Sequence, residues 1–138
     1  MKIEEICFTA SFEQLSSILT WIQTRCVEAG FSSSEASRIQ LALEEVLVNV
    51  IRYAYPEKKG EVVLTCKLYP EEKIQFIVRD QGRAFNPLLQ KPAVDLLEEL
   101  HERKEGGLGI FFAEQLMDEI AYERLEPFNH LFLTKFLN

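Results

Sequence analysis

The chain has no Lys/Arg cluster: 15 Lys+Arg stand against 22 Asp+Glu, for a formal net charge of −7. Non-specific nucleic-acid binding or attachment to an acidic membrane needs the opposite field, so both classes are set aside. An acidic surface suits a basic protein partner, and it also simply keeps a protein soluble. Cysteine is sparse. Cys7, Cys26 and Cys66 are far apart and odd in number, which gives no zinc spacing and no CxxC pair. Reduced thiols packed as small hydrophobes are expected. No apolar run approaches the roughly 18 residues that span a bilayer. The start, Lys2-Ile-Glu-Glu-Ile6, puts charge where a signal peptide has its apolar region. A cytoplasmic protein is expected. There is no internal repeat, low-complexity tract or linker. The 138 residues, 47% of them hydrophobic, are enough for one domain with a proper core.

The apolar pattern predicts the elements. Lys2 to Thr9 reads as an edge strand. Phe12 to Ala29 carries Leu15, Ile18, Leu19, Ile22 and Cys26 at helical spacing, and Gly30 ends it. Ser32 and Glu35 form a capping-box pattern for a long second helix whose buried stripe is Ile39, Ala42, Leu43, Val46, Val50 and Ala54, with Pro56 closing it. Glu61 to Tyr69 and Ile74 to Arg79 read as paired strands around Pro70-Glu-Glu-Lys73. From Asn86 to Gly106 the apolar period fades, with a short helix possible over Val94–Leu100. So long a connection fits a functional lid. Leu108 to Met117 reads as a buried helix. Glu119 to Leu125 and His130 to Leu137 read as a last hairpin around Pro127-Phe128-Asn129. The expected architecture is α+β: a two-layer sandwich with a mixed, mostly antiparallel sheet and helices on one face. Trp21, Phe111, Phe112, Phe132 and Phe136 are expected in its core. His101 is expected in the lid and His130 in a turn or strand.

Three short stretches carry the chemistry. On the long helix, at about 100° per residue, Arg38, Leu41, Glu45, Asn49 and Arg52 fall in one narrow sector. Glu45 and Asn49 are one turn apart and share a face. An amide oxygen together with phosphate oxygens suits Mg²⁺, and a carboxylate not spent on the metal is free to take a hydroxyl proton. A solvated helix face has the same composition. Asp80-Gln-Gly82-Arg-Ala-Phe85-Asn-Pro87 follows a strand. Its Asp can accept from an exocyclic amine, its Gly lets backbone come close, and Phe85 can supply an apolar wall. An ordinary Asp-initiated turn reads the same way. Gly106-Gly107-Leu108-Gly109-Ile110 opens a helix whose early N–H groups can cradle phosphates, or it is a glycine-rich linker.

Taken together and in this order, the three stretches resemble the boxes of the GHKL, or Bergerat-fold, ATPases. Within that group the chain resembles the small anti-sigma-factor serine/threonine kinases of the RsbW type. Leu43-Glu-Glu-Val-Leu-Val-Asn49 through Ala54-Tyr55 is similar to their N box, Asp80-x-Gly82-x-x-Phe85-x-Pro87 to the G1 box and Gly106–Ile110 to the G2 box. The resemblance covers nearly the whole chain as a single histidine-kinase-like ATPase domain. A sensor histidine kinase would add a dimerisation hairpin with a phosphoacceptor His, and neither His101 nor His130 sits in such a setting.

The resemblance implies that Asn49 coordinates Mg²⁺ and that Glu45 is the general base toward a partner's Ser or Thr hydroxyl. Asp80 would bind the adenine amino group of ATP, with Gly82 giving backbone room and Phe85 beside it. Gly106, Gly107, Leu108, Gly109 and Ile110 would line the phosphates, and residues 88–105 would be the ATP lid. The implied partners are an anti-sigma-factor antagonist, which is phosphorylated, and a sigma factor, which is sequestered. A homodimer is implied too. The sequence departs from the pattern twice. Tyr53 stands where the family has a basic or imidazole side chain, leaving Arg52 as the substitute phosphate contact. Phe128-Asn129-His130 stands where the family often has a Gly before its last strand. The alternative function is a nucleotide-dependent switch that transfers no phosphate. The retained Glu45 favours the kinase, because a pure switch needs no base.

Overall fold

The computed structural model describes residues 1–89 and 107–138. They form β1 (Lys2–Thr9), α1 (Leu15–Ala29), α2 (Ser33–Tyr53), β2 (Glu61–Tyr69), β3 (Lys73–Asp80), α3 (Gly107–Leu116), β4 (Glu119–Leu125) and β5 (Phe128–Phe136). Most of the expected lid, the expected helix over Val94–Leu100, His101 and Gly106 lie outside the described residues.

The strand order is β1-β2-β3-β5-β4, and all four described pairings are antiparallel. The sequence pattern predicts a mixed, mostly antiparallel sheet. Two helices in succession, α1 and α2, separate β1 from β2, so the chain reverses three times and returns antiparallel. A single crossover helix would have returned it parallel.

Burial along β3 sets the layers. Ile74, Phe76, Val78 and Asp80 are buried and the residues between them are partly exposed. This is the two-residue period of a sheet with one covered face. Val62, Leu64 and Cys66 of β2 and Leu131 and Leu133 of β5 share that covered side with Ile39, Ala42, Leu43, Val46 and Leu47 of α2. α2 packs between α1 and α3.

The predicted helix ends hold. Ser32 Oγ accepts the Glu35 N–H at 3.1 Å, satisfying one of the free donors of the first turn. Gly30 ends α1 in the left-handed region at φ 107°, where its N–H reaches the Cys26 and Val27 carbonyls.

Four expectations are corrected. Phe12–Gln14 is a 3₁₀ turn rather than the first turn of α1. Phe112 and Phe136, expected in the core, are 46% and 36% exposed. Phe136 alternates onto the uncovered side of β5 with Phe128, His130 and Phe132, so Phe132 too stands outside the core in which it was expected. Cys7 is exposed because Ile6 and Phe8 take the inward places on β1. Phe128 and Asn129 belong to β5 rather than to the hairpin turn. Among the described residues no helix is long and apolar enough to cross a membrane.

Candidate nucleotide-binding site

The polar sector of α2 forms as its spacing predicts. Glu45 and Asn49 are half-buried, while Arg38, Leu41 and Arg52 are exposed. The Glu45 carboxylate lies against the first turn of α3: a Cβ built on Gly109 would come within 2.5 Å of Glu45 Oε2. Only a residue without a side chain lets these helices meet with that carboxylate between them. The first-turn N–H groups of α3 have no partner within the helix and form the kind of end that receives anions. Ile110 is buried in the core, which leaves only its backbone for a ligand. The Arg52 guanidinium lies 5.6 Å from the centroid of the Phe12 ring.

At the C-terminal end of α2 stands the Asp80 turn. Asp80 continues the inward row of β3, so a carboxylate occupies a place where the strand otherwise puts Ile, Phe and Val. Its Oδ1 accepts the Gly82 N–H at 2.9 Å and the Asn129 Nδ2 at 3.0 Å. Its Oδ2 has no hydrogen-bond partner among the described residues. Gly82 is pressed against the end of α2: an added Cβ would lie 2.5 Å from the Ala54 carbonyl oxygen. Tyr55 ties the same corner, its hydroxyl donating to the Glu61 carbonyl at 2.6 Å and accepting the Gln81 N–H at 2.6 Å. Burial, first of all, raises the Tyr55 pKa above the ordinary phenol value. Phe85 is 38% exposed, open enough to serve as a wall.

Asn129 was missed in the sequence, where it was read as a turn residue. It is buried and directly opposite Asp80 in the β3–β5 register. Its Nδ2 also donates to the Arg83 carbonyl at 2.9 Å. Its Oδ1 accepts the Phe85 N–H at 3.3 Å and the Tyr122 hydroxyl. Arg124 completes the corner, with Nη1 donating to the Gly82 carbonyl at 2.8 Å. The available signal was the inward alternation Asn129-Leu131-Leu133, a polar residue on a buried row.

α2 therefore carries Glu45 at one end of a line and Asn49 near its middle, and abuts the Asp80 turn through Ala54 at the other end. At 1.5 Å per residue the stretch from Glu45 to Ala54 is about 13 Å long, the length scale of a nucleoside triphosphate. The donor set fits one: a carboxylate oxygen of Asp80 left over by its hydrogen bonds at one end, and a helix start beside the Glu45 carboxylate, with Asn49 one turn on along α2, toward the other. Among the described residues no cluster of three His, Cys, Asp or Glu could hold a metal by itself. An Mg²⁺ here would be held by Asn49 together with phosphate oxygens and water.

These features define a class. Residues 8–135 match the histidine kinase-like ATPase domain family, and the chain belongs to it. Within that family it stands with the RsbW serine-protein kinases. It is 30% identical to the one from Bacillus mycoides over 111 residues, covering 78% of this chain and 68% of that one. It is 28% identical to one from Staphylococcus aureus over 137 residues, 96% of this chain and 86% of that one. With the Listeria monocytogenes protein the identity is 30% over 114 residues, 80% and 71% of the two chains. The solved structure of the RsbU and RsbW domains of a Mycobacterium tuberculosis protein aligns with a TM-score of 0.67 at 18% identity. That alignment covers 99% of this chain and 33% of the other, and it shows the shared fold.

Proposed function

We propose that the chain is an ATP-dependent serine/threonine protein kinase and anti-sigma factor, which phosphorylates an anti-sigma-factor antagonist and sequesters a sigma factor. The observation that supports this reading is α2: its Glu45 lies against the first turn of α3, it carries Asn49 one turn on, and its end abuts the Asp80 turn. Asp80 Oδ2 accepts the adenine amino group, Gly82 admits the base edge to the backbone and Phe85 walls it. Asn49 holds Mg²⁺ with the phosphates. Gly106, Gly107 and Gly109, with the backbone of Leu108 and Ile110, receive the phosphate oxygens. Bound Mg·ATP supplies the phosphoryl group and the charge neutralisation its transfer needs. Glu45 takes the proton from the partner's Ser or Thr hydroxyl. Arg52, three residues beyond Asn49 on α2, is the phosphate-side cation in place of the family's residue at position 53. Residues 88–105 act as the lid over the nucleotide.

The chain works in the cytoplasm as one domain and as a homodimer. The uncovered sheet face, with Ile77, Phe128, Phe132 and Phe136, supports the dimer as an apolar surface opposite the helices. The RsbW relatives are named serine-protein kinases, which supports a serine or threonine acceptor.

The test is phosphoryl transfer. The protein is incubated with labelled Mg·ATP and candidate antagonists, and label on a serine or threonine of one of them is the expected result. Label loss on Asn49→Ala, with the fold intact, would place the metal. Nucleotide binding without label on any antagonist would replace the kinase with a nucleotide-dependent switch.

A further inference from the structure

We propose that Asn129 is the positioning residue that aims Asp80 at the base and so sets the preference for adenine, an inference that rests on the nucleotide reading above. A carboxylate at the end of a strand can turn about its last torsion, and a single donor does not stop it. Asp80 has two donors on the same oxygen, the Gly82 N–H and Asn129 Nδ2. Both hold Oδ1 and leave Oδ2 as the acceptor available to a base.

The amide orientation of Asn129 follows from its partners rather than from choice. Nδ2 has two hydrogens, and the Asp80 carboxylate at 3.0 Å and the Arg83 carbonyl at 2.9 Å take them. Both are acceptors only, so an oxygen in that place would be repelled. On the other side Oδ1 meets the Phe85 N–H, which is a donor only. Every polar atom of the side chain is used, and each bond except that to Tyr122 goes to the Asp80–Phe85 turn.

Asn129 thus fixes the carboxylate and, through Arg83 and Phe85, the loop that would flank the base. An apolar side chain would have matched its row-mates Leu131 and Leu133, yet it would hold neither Asp80 nor the loop from Arg83 to Phe85. The consequence is selectivity. An Asp80 oxygen held as an acceptor rewards a purine carrying an amine at the edge and gives nothing to one that lacks it.

The experiment compares Mg·ATP with the triphosphate of purine riboside, which lacks only the exocyclic amine, on the full chain. The dissociation constants are measured for wild type, Asn129→Ala and Asn129→Asp, alongside thermal melts. Wild type is expected to prefer ATP by about tenfold or more. In Asn129→Ala the preference falls to within about threefold, chiefly through weaker ATP binding. Asn129→Asp keeps the shape but turns an oxygen toward Asp80, and it loses the preference likewise; it decides the matter if the alanine variant does not fold. A purely structural role would weaken both ligands equally, so a wild-type ratio retained in either folded variant overturns the proposal. Wild type binding neither triphosphate would instead sink the nucleotide reading itself.

Discussion

The Glu45 carboxylate and Gly109 are in such close approach that a single methyl group on residue 109 would fall 2.5 Å from Glu45 Oε2. The obstacle is the far end of a flexible side chain, so Gly109→Ala is expected to fold, with Glu45 displaced. Misplacement of a reacting group by about 1 Å can cost on the order of a hundredfold in rate. Phosphoryl transfer by Gly109→Ala should therefore fall by at least about tenfold in single-turnover kinetics. Unchanged transfer would mean that the position of Glu45 is immaterial.

Replacing the carboxylate itself separates chemistry from binding. Glu45→Gln keeps the shape and removes the base, so transfer should drop by about 10²- to 10⁴-fold while the ATP dissociation constant stays within about twofold. A matching loss of both would make Glu45 a binding residue instead.

Gly82→Ala meets a harder obstacle. Its Cβ would lie 2.5 Å from the Ala54 carbonyl oxygen and 3.0 Å from Asp80 Oδ1. The first of these is backbone at the end of α2, so the turn or the helix end must shift, at a cost of about 1–3 kcal/mol. Denaturant unfolding should register that loss, and ATP should bind more weakly as well. A variant as stable as wild type would contradict the close approach.

The thiols give a test independent of the nucleotide. Burial pushes Cys26 and Cys66 up to about 12 from 9.0, whereas Cys7 is exposed. In the native protein near neutral pH only Cys7 should react readily with an alkylating reagent, and all three should react in denaturant. The sign of the linkage follows. The folded state holds the two buried thiols neutral, so their contribution is complete below about 9 and is lost as pH rises toward about 12. Replacing both by Ala should flatten the fall in stability over that alkaline range. An equally steep fall would assign it to other groups.

Most of the fold was legible because local signals agreed with tertiary demands. β1, β2 and β4 begin and end where alternation and turn residues placed them, and Ser32 and Gly30 cap their helices as read. The misses share a cause. Phe112, Phe136 and Cys7 are apolar or nearly so and were placed inside by type, but in a strand the side that a residue faces is decided by parity, and in a helix by which neighbour packs there. Neither is fixed by residue type. Glu45, Asn49, Asp80 and Gly82 could be singled out because they lie in short local patterns. Asn129 could not, because its meaning depends on the β3–β5 register, which brings together residues 49 positions apart. The same holds for Gly109, whose closeness to Glu45 arises only once α3 packs on α2.

The most direct test of the central claim is a calorimetric titration of Mg·ATP into wild type and Asp80→Asn. The account predicts saturable binding to wild type and a loss of about tenfold or more in the variant, since one buried acceptor for the base amine has been replaced. Equal affinity in the two proteins would remove Asp80 from the site, and no binding to wild type would contradict the account as a whole.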